Sequence, residues 1–132
     1  MRLNQILKAI YATYITNYFG FKLKRVDTSG EKKQLRIEYA QILLGKLKIE
    51  VKVKNQEKLP KDGQFLLSVN HRSVIDPLIV ELALKDTEIF GHWVSKKELY
   101  DSFFFGVFVR NGGTILLDRE DKNMSKFFID AK

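Results

Sequence analysis

Apolar side chains recur at steps of three and four near the start of the chain: Leu3, Ile6, Leu7, Ile10, Tyr11, Tyr14, Ile15 and Tyr18. That spacing predicts an amphipathic helix over residues 3–19, with Gly20 as its stop. Residues 26–34 are polar, and Asp27-Thr28-Ser29-Gly30 reads as a loop. A second helix is expected over residues 35–46, with Gly45 near its end. Residues 47–54 then alternate apolar and charged, the pattern of a half-buried strand whose lysines guard an edge. Pro60 to Gly63 mark a turn. Phe65-Leu66-Leu67-Ser68-Val69 predicts a short buried strand, and residues 77–84 a helix with Pro77 in its first turn. Residues 89–94 are expected as a strand, 96–105 as a helix, and 114–117, after Gly112-Gly113, as a strand. This order predicts an α/β fold: N-terminal amphipathic helices followed by a mixed sheet with helices packed on it. The expected division is a membrane-associating helical region over residues 1–46 and an α/β domain over residues 47–132.

Composition narrows the function classes. A chain of 132 residues with 45% hydrophobic side chains can bury a real core. It has no cysteine, which removes a disulfide framework, a cysteine zinc site and a thiol nucleophile together. The net charge of +7 is uneven: residues 1–60 carry 13 Lys/Arg against 5 Asp/Glu, and residues 61–132 carry 10 against 11. A basic first half beside a near-neutral second half points to a polyanionic partner for the first half alone. Nucleic acid ranks last there, because neither a recognition-helix pattern nor an aromatic platform motif is present. The tyrosines of the first helix, followed by Lys22, Lys24 and Arg25, favour an anionic membrane interface, against the plainer reading of a helix packed on the core. No apolar run reaches about 18 residues, so no membrane span is expected. The first residues lack the features of a signal peptide, so a peripheral or monotopic place on the cytoplasmic side is the expectation.

The candidate chemistry lies in Asn70-His71-Arg72-Ser73-Val74-Ile75-Asp76-Pro77. A predicted strand delivers His71 to a loop, and Asp76 follows five positions later where the next helix begins. A loop of this length can bring the carboxylate to the imidazole, fix its tautomer and leave His71 as a general base for an alcohol. Taken alone, Asp76 before Pro77 reads equally well as a helix N-cap, and His71 as a hydrogen-bonded loop residue. Ser73 sits in no Gly-x-Ser-x-Gly elbow, so it reads as a loop or capping hydroxyl. His92 reads as a structural strand residue. No carboxylate lies at metal-ligand spacing from either histidine, so no metal site is expected.

The Asn-His-Arg-Ser-x-x-Asp-Pro block resembles the first motif of the 1-acylglycerol-3-phosphate acyltransferase family. Lys96-Lys97-Glu98-Leu99, Phe104-Phe105-Gly106 and Gly113-Thr114-Ile115-Leu116-Leu117-Asp118-Arg119 are similar to the blocks that lead to, and form, its second motif. Upstream, Asn55-Gln56-Glu57-Lys58-Leu59-Pro60 takes the place of a Gly-x-Glu-x-Leu-Pro lead-in, with Asn55 where the family has Gly. The resemblance covers residues 47–120. It implies that His71 is the base on the free hydroxyl of lysophosphatidic acid, that Asp76 orients it, and that the oxygen attacks an acyl thioester. It implies that Arg119, with Gly113 and assisted by Lys96, holds the acceptor's phosphate. Acyl-coenzyme A or acyl-carrier protein is then a co-substrate, and no cofactor is needed. Without the resemblance, Arg119 beside Asp118 and Glu120 reads as a surface ion pair, and Lys96 and Lys97 as a solvated helix start. The family's third and fourth motifs do not occur, so the domain is expected to be incomplete at its C-terminal end. The alternative is a catalytically inactive remnant that still binds membrane.

Overall fold

The computed structural model of the protein describes residues 3–118, 120 and 125–130. Their order is α1 (Leu3–Leu23), α2 (Ser29–Lys46), a 3-10 turn (Gln56–Lys58), α3 (Asp76–Ala83), β1 (Val94–Lys96), α4 (Lys97–Tyr100), α5 (Gly106–Asn111), β2 (Ile115–Leu117) and α6 (Ser125–Asp130). The fold is α/β. Contacts divide it into two compact units, one made of Met1–Leu35 and His92–Lys132, the other of Arg36–Gly91.

In the first unit α1 packs on α5. The helix runs past Gly20 to Leu23, so Gly20 is not a stop. It is buried, and a Cβ there would lie 2.8 Å from the Phe108 nitrogen and 3.0 Å from the Val107 carbonyl carbon. Close approach of the α5 backbone, and not chain termination, is what this glycine provides. The buried face of α1 is Thr16, Phe19, Gly20 and Leu23. Most of the apolar stripe expected to define the helix stays exposed instead: Leu3, Ile6, Leu7, Ile10, Tyr14 and Tyr18 all face solvent. β1 and β2 pair in parallel, Val94 with Ile115 and Lys96 with Leu117, and α4 and α5 form the crossover between them. Among the described residues the sheet is therefore a parallel pair, where a larger mixed sheet was expected.

α2 begins at Ser29, inside the segment expected as loop. Thr28 and Glu31 form a capping box: the Glu31 N–H donates to Thr28 Oγ1 (3.3 Å), while Glu31 Oε2 accepts from the Thr28 N–H (3.4 Å) and hydroxyl (2.6 Å). The Thr-x-x-Glu spacing carried this start, and the polar composition of the segment concealed it.

In the second unit, the strand expected over residues 47–54 does not form. Lys48 adopts φ 58°, its N–H donates to the Gly45 carbonyl, and the Ile49 N–H donates to the Leu44 carbonyl. That pair of bonds is a Schellman cap. Leu47 and Lys48 are consumed in closing α2, and residues 49–54 find no ladder partner among the described residues. The buried strand expected at residues 65–69 is also absent. The run is exposed throughout, Leu66 at 93%, and no neighbouring strand receives it among the described residues. An apolar run becomes a strand only where another chain segment supplies hydrogen bonds and a surface. Asn55, standing where a glycine was expected, has φ 59°, and asparagine is among the few side chains that accept this left-handed geometry readily.

Arg36 organises this unit. Its side chain is 4% exposed, and the guanidinium pairs with Glu81 of α3, Nε donating to Oε1 at 2.9 Å and Nη2 to the same oxygen. Nη1 donates to the Gly91 carbonyl at 2.9 Å, and the Phe90 ring lies 4.8 Å away. Ile37, Tyr39, Ala40, Leu44 and Leu84 are the buried apolar residues here. Removing one member of a buried ion pair leaves the other uncompensated, at a cost of about 3–5 kcal/mol. Arg36→Met is therefore expected to destabilise the protein by about that amount in urea denaturation, and Arg36→Met with Glu81→Leu to recover most of the loss. A double variant no more stable than the single one would show that the pair is not the source of the cost.

Candidate active site

The loop from Asn70 to Ile75 is short enough that its fold can be followed bond by bond. The Ser73 carbonyl accepts from the Asp76 N–H at 3.1 Å, closing a turn, and Ser73 Oγ accepts from the Ile75 N–H at 3.4 Å. α3 starts at Asp76, with Pro77 in its first turn. Ile75 occupies the cap position and makes no side-chain cap bond. The Asp76 carboxylate has turned back over the loop, away from the N-cap role its place in the sequence offers. Its Oδ2 accepts from the Arg72 N–H (2.6 Å) and the Ser73 N–H (2.7 Å), and lies 3.0 Å from His71 Nδ1.

Three donors converge on one carboxylate oxygen. The Ser73 and Arg72 N–H groups, followed by the His71 ring, hold the Asp76 carboxyl below its ordinary value, because each bond favours the charged form. An ionised Asp76 accepts a hydrogen bond from Nδ1–H, which leaves the lone pair of the neutral imidazole on Nε2. The His71 side chain is 67% exposed, so this nitrogen belongs to a ring that solvent and substrate can reach. Such an arrangement is chemically able to act as a general base with an orienting carboxylate.

The remaining expected residues lie in the other unit. Lys96 ends β1, is exposed, and precedes α4. Gly113 has φ 81° and comes two positions before β2. Its carbonyl accepts from His92 Nδ1–H at 2.7 Å. Because the strands are parallel and in register, Gly113 lies toward the starting end of the pair and Lys96 at its finishing end. The structure does not bring these two together. Arg119, expected on the phosphate, lies outside the described residues. Asp118 forms an ion pair with Lys97: Lys97 Nζ is 3.0 Å from Asp118 Oδ2, and the carboxylate raises the Lys97 pKa. This pair ties the start of α4 to the segment after β2. Sequence reasoning missed it because Lys97 read as a solvated helix start and the lysine and aspartate are 21 positions apart.

Among the described residues no helix is long and apolar enough to cross a membrane. Residues 50–131 match a family described as Acyltransferase. A 1-acyl-sn-glycerol-3-phosphate acyltransferase of Bacillus subtilis is 31% identical over 75 residues, covering 57% of this chain and 37% of that protein. The like-named protein of Helicobacter pylori is 40% identical over 60 residues, 46% of this chain and 24% of its own. That of Streptococcus pneumoniae is 32% identical over 72 residues, 54% and 26%. The chain thus spans from about a quarter to just over a third of the length of these relatives. No solved structure gives a significant match. The family match runs over more than half of the chain and takes in the loop that folds His71 onto Asp76, so the chain belongs to the acyltransferase family.

Proposed function

We propose that the chain transfers a fatty acyl group from an acyl thioester to the free hydroxyl of 1-acylglycerol-3-phosphate, a step of phospholipid synthesis. The observation that carries this reading is the 3.0 Å contact between His71 Nδ1 and Asp76 Oδ2, which sets Nε2 free to take a proton. His71 removes the hydroxyl proton as the oxygen attacks the thioester carbonyl. A C–O bond forms, the C–S bond breaks, and the imidazolium returns the proton to the departing thiolate. Asp76 holds the ring and stabilises the imidazolium. In this reading no acyl-enzyme forms, and neither metal nor cofactor takes part. Acyl-coenzyme A and acyl-carrier protein fit equally as donor. Arg119 and Lys96 supply the positive charge for the acceptor's phosphate, Arg119 by bidentate donation. Gly113 contributes through its backbone, whose left-handed turn leads the chain into β2.

The same reading places the protein peripherally on an anionic membrane, where its acceptor resides. It is supported by the exposed stripe of α1 and by Lys22, Lys24 and Arg25 beside it. Replacing these three by alanine is expected to weaken sedimentation with phosphatidylserine-containing vesicles, each residue contributing about 1 kcal/mol, and to leave binding to neutral vesicles nearly unchanged. Equal loss on both lipids would remove the electrostatic part of the reading.

Turnover of lysophosphatidic acid with either thioester donor tests the reaction. His71→Ala is expected to lower turnover by about 10²–10⁴-fold. Arg119→Ala is expected chiefly to raise KM for the acceptor, because a phosphate contact is present in ground and transition states alike. If the chain by itself is inactive, joining it to the C-terminal part of one of its relatives should restore activity in a His71-dependent way. Turnover that survives His71→Ala undiminished would sink the assignment.

The Asp76 carboxyl also has a pH signature. Its pKa is depressed in the folded state, so the order it lends the loop is fully present above the ordinary aspartate pKa of about 3.9 and is lost as pH falls through the depressed value. A carboxyl-carbon NMR titration is expected to place the Asp76 midpoint below that of an unstructured aspartate. A midpoint at or above it would show that the three-donor geometry does not persist in solution.

A further inference from the structure

The chemistry above gives no role to the loop between α4 and α5. Phe103, Phe104 and Phe105 follow one another there, and all three are exposed, Phe103 at 85%. Consecutive exposed phenylalanines are costly in water and call for an apolar partner. What they can enter depends on the backbone that carries them, because hydrocarbon offers no partner for a bare N–H or C=O.

This loop brings its own partners. Ser102 Oγ accepts from the Phe104 N–H (3.2 Å) and the Phe105 N–H (3.3 Å). The Ser102 carbonyl accepts from the Gly106 N–H (2.8 Å), and the Phe104 carbonyl accepts from Asn17 Nδ2 (3.3 Å). The last bond also seats the loop against α1. Tyr14 and Phe21 of α1 line the same open groove as Phe103, with Asp101 and Arg110 on its polar wall. Tyr14 stacks on Tyr18 at 6.4 Å, and the Lys22 ammonium lies 5.4 Å from the Tyr18 ring. α1 contains Lys8 and Lys22 and no acidic residue, and Lys24 and Arg25 follow it. An aromatic surface bordered by cations in this way matches an anionic bilayer interface, with rings at the depth of the headgroups and ammonium groups on the phosphates. A second copy fits poorly, because a two-fold contact through the same patch brings one cation-bordered surface onto an equally basic one.

We propose that the loop of Phe103, Phe104 and Phe105 is a second membrane-inserting element, entering an anionic bilayer alongside the aromatic face of α1. The inference rests on the membrane reading of α1 given above, and adds that docking is bipartite. Two elements far apart in sequence then fix the rotation of α1 about its axis at the surface, which one amphipathic helix alone leaves loosely set.

The absence of cysteine allows a single label at any position. Phe103→Cys and Tyr14→Cys, each carrying an environment-sensitive fluorophore, are mixed with vesicles of phosphatidylcholine and phosphatidylserine that contain depth-graded quenching lipids. The expected result is a blue shift for both labels and quenching at similar depth. Phe103→Ser in the unlabelled full chain should lower partitioning by about tenfold or more, the lower end of what burying a large apolar side chain yields. Its thermal unfolding should not change, since the ring touches little in the folded protein. A Tyr14 label that shifts while the Phe103 label stays in water overturns the inference and leaves the membrane reading of α1 standing. Two silent labels overturn both. A Phe103 label that shifts alone overturns the paired insertion proposed here.

Discussion

A guanidinium can leave water only if every face of it is answered. Arg36 is answered by a carboxylate, a carbonyl and an aromatic ring, contributed by Glu81, Gly91 and Phe90. The helix that supplies Glu81 is α3, eight residues long, and a helix of that length does not persist alone in water. It is held near its C-terminal end by Arg36, and by Gln56 Nε2, which donates to the Ala83 carbonyl at 3.4 Å. Its first residue is Asp76. The buried ion pair therefore helps fix where the carboxylate at the other end of the helix can stand, though Glu81 is about one and a half helical turns from Asp76.

At that other end, the outcome turns on a choice between two sets of donors. A carboxylate at the head of a helix can cap the N–H groups ahead of it or reach back to those behind. Here the turn closed by Ser73 presents the Arg72 and Ser73 N–H groups behind, and Asp76 takes them. The histidine is bound as the third donor of the same set. Asp76 is thus itself held by backbone donors, which leaves its carboxylate little rotational freedom. A loop with different backbone geometry and the same two side chains would yield an ordinary capped helix.

Helix α3, the second strand of the parallel pair and the loop that joins His71 to Asp76 were legible in the sequence. Their signals are local: Pro77 at a first turn, a glycine pair before an apolar run, and a fixed five-residue reach. What could not be read depended on partners elsewhere. Residues 47–54 carry a strand's alternation, but Lys48 was already committed to closing α2. The run at 65–69 is as apolar as a core strand and lies exposed, because pattern says nothing about whether a neighbour exists. Gly20 looked like a stop, and only the nearness of Phe108 shows why a side chain is excluded there. The stripe of α1 predicted the helix, yet the face the helix buries is the narrower one through Phe19 and Leu23. Arg36 had no signal, since its partners are 45 and 55 positions away.

The packing of α1 against α5 carries a further consequence in time. Some 80 residues separate the end of α1 from the start of α5. At a synthesis rate of roughly 5–20 residues per second, α1 is complete for several seconds or more before its partner has been made. Throughout that interval the face through Phe19 and Leu23 is uncovered along with the exposed stripe, so the unfinished chain presents apolar side chains to its surroundings on two faces of one helix until α5 arrives.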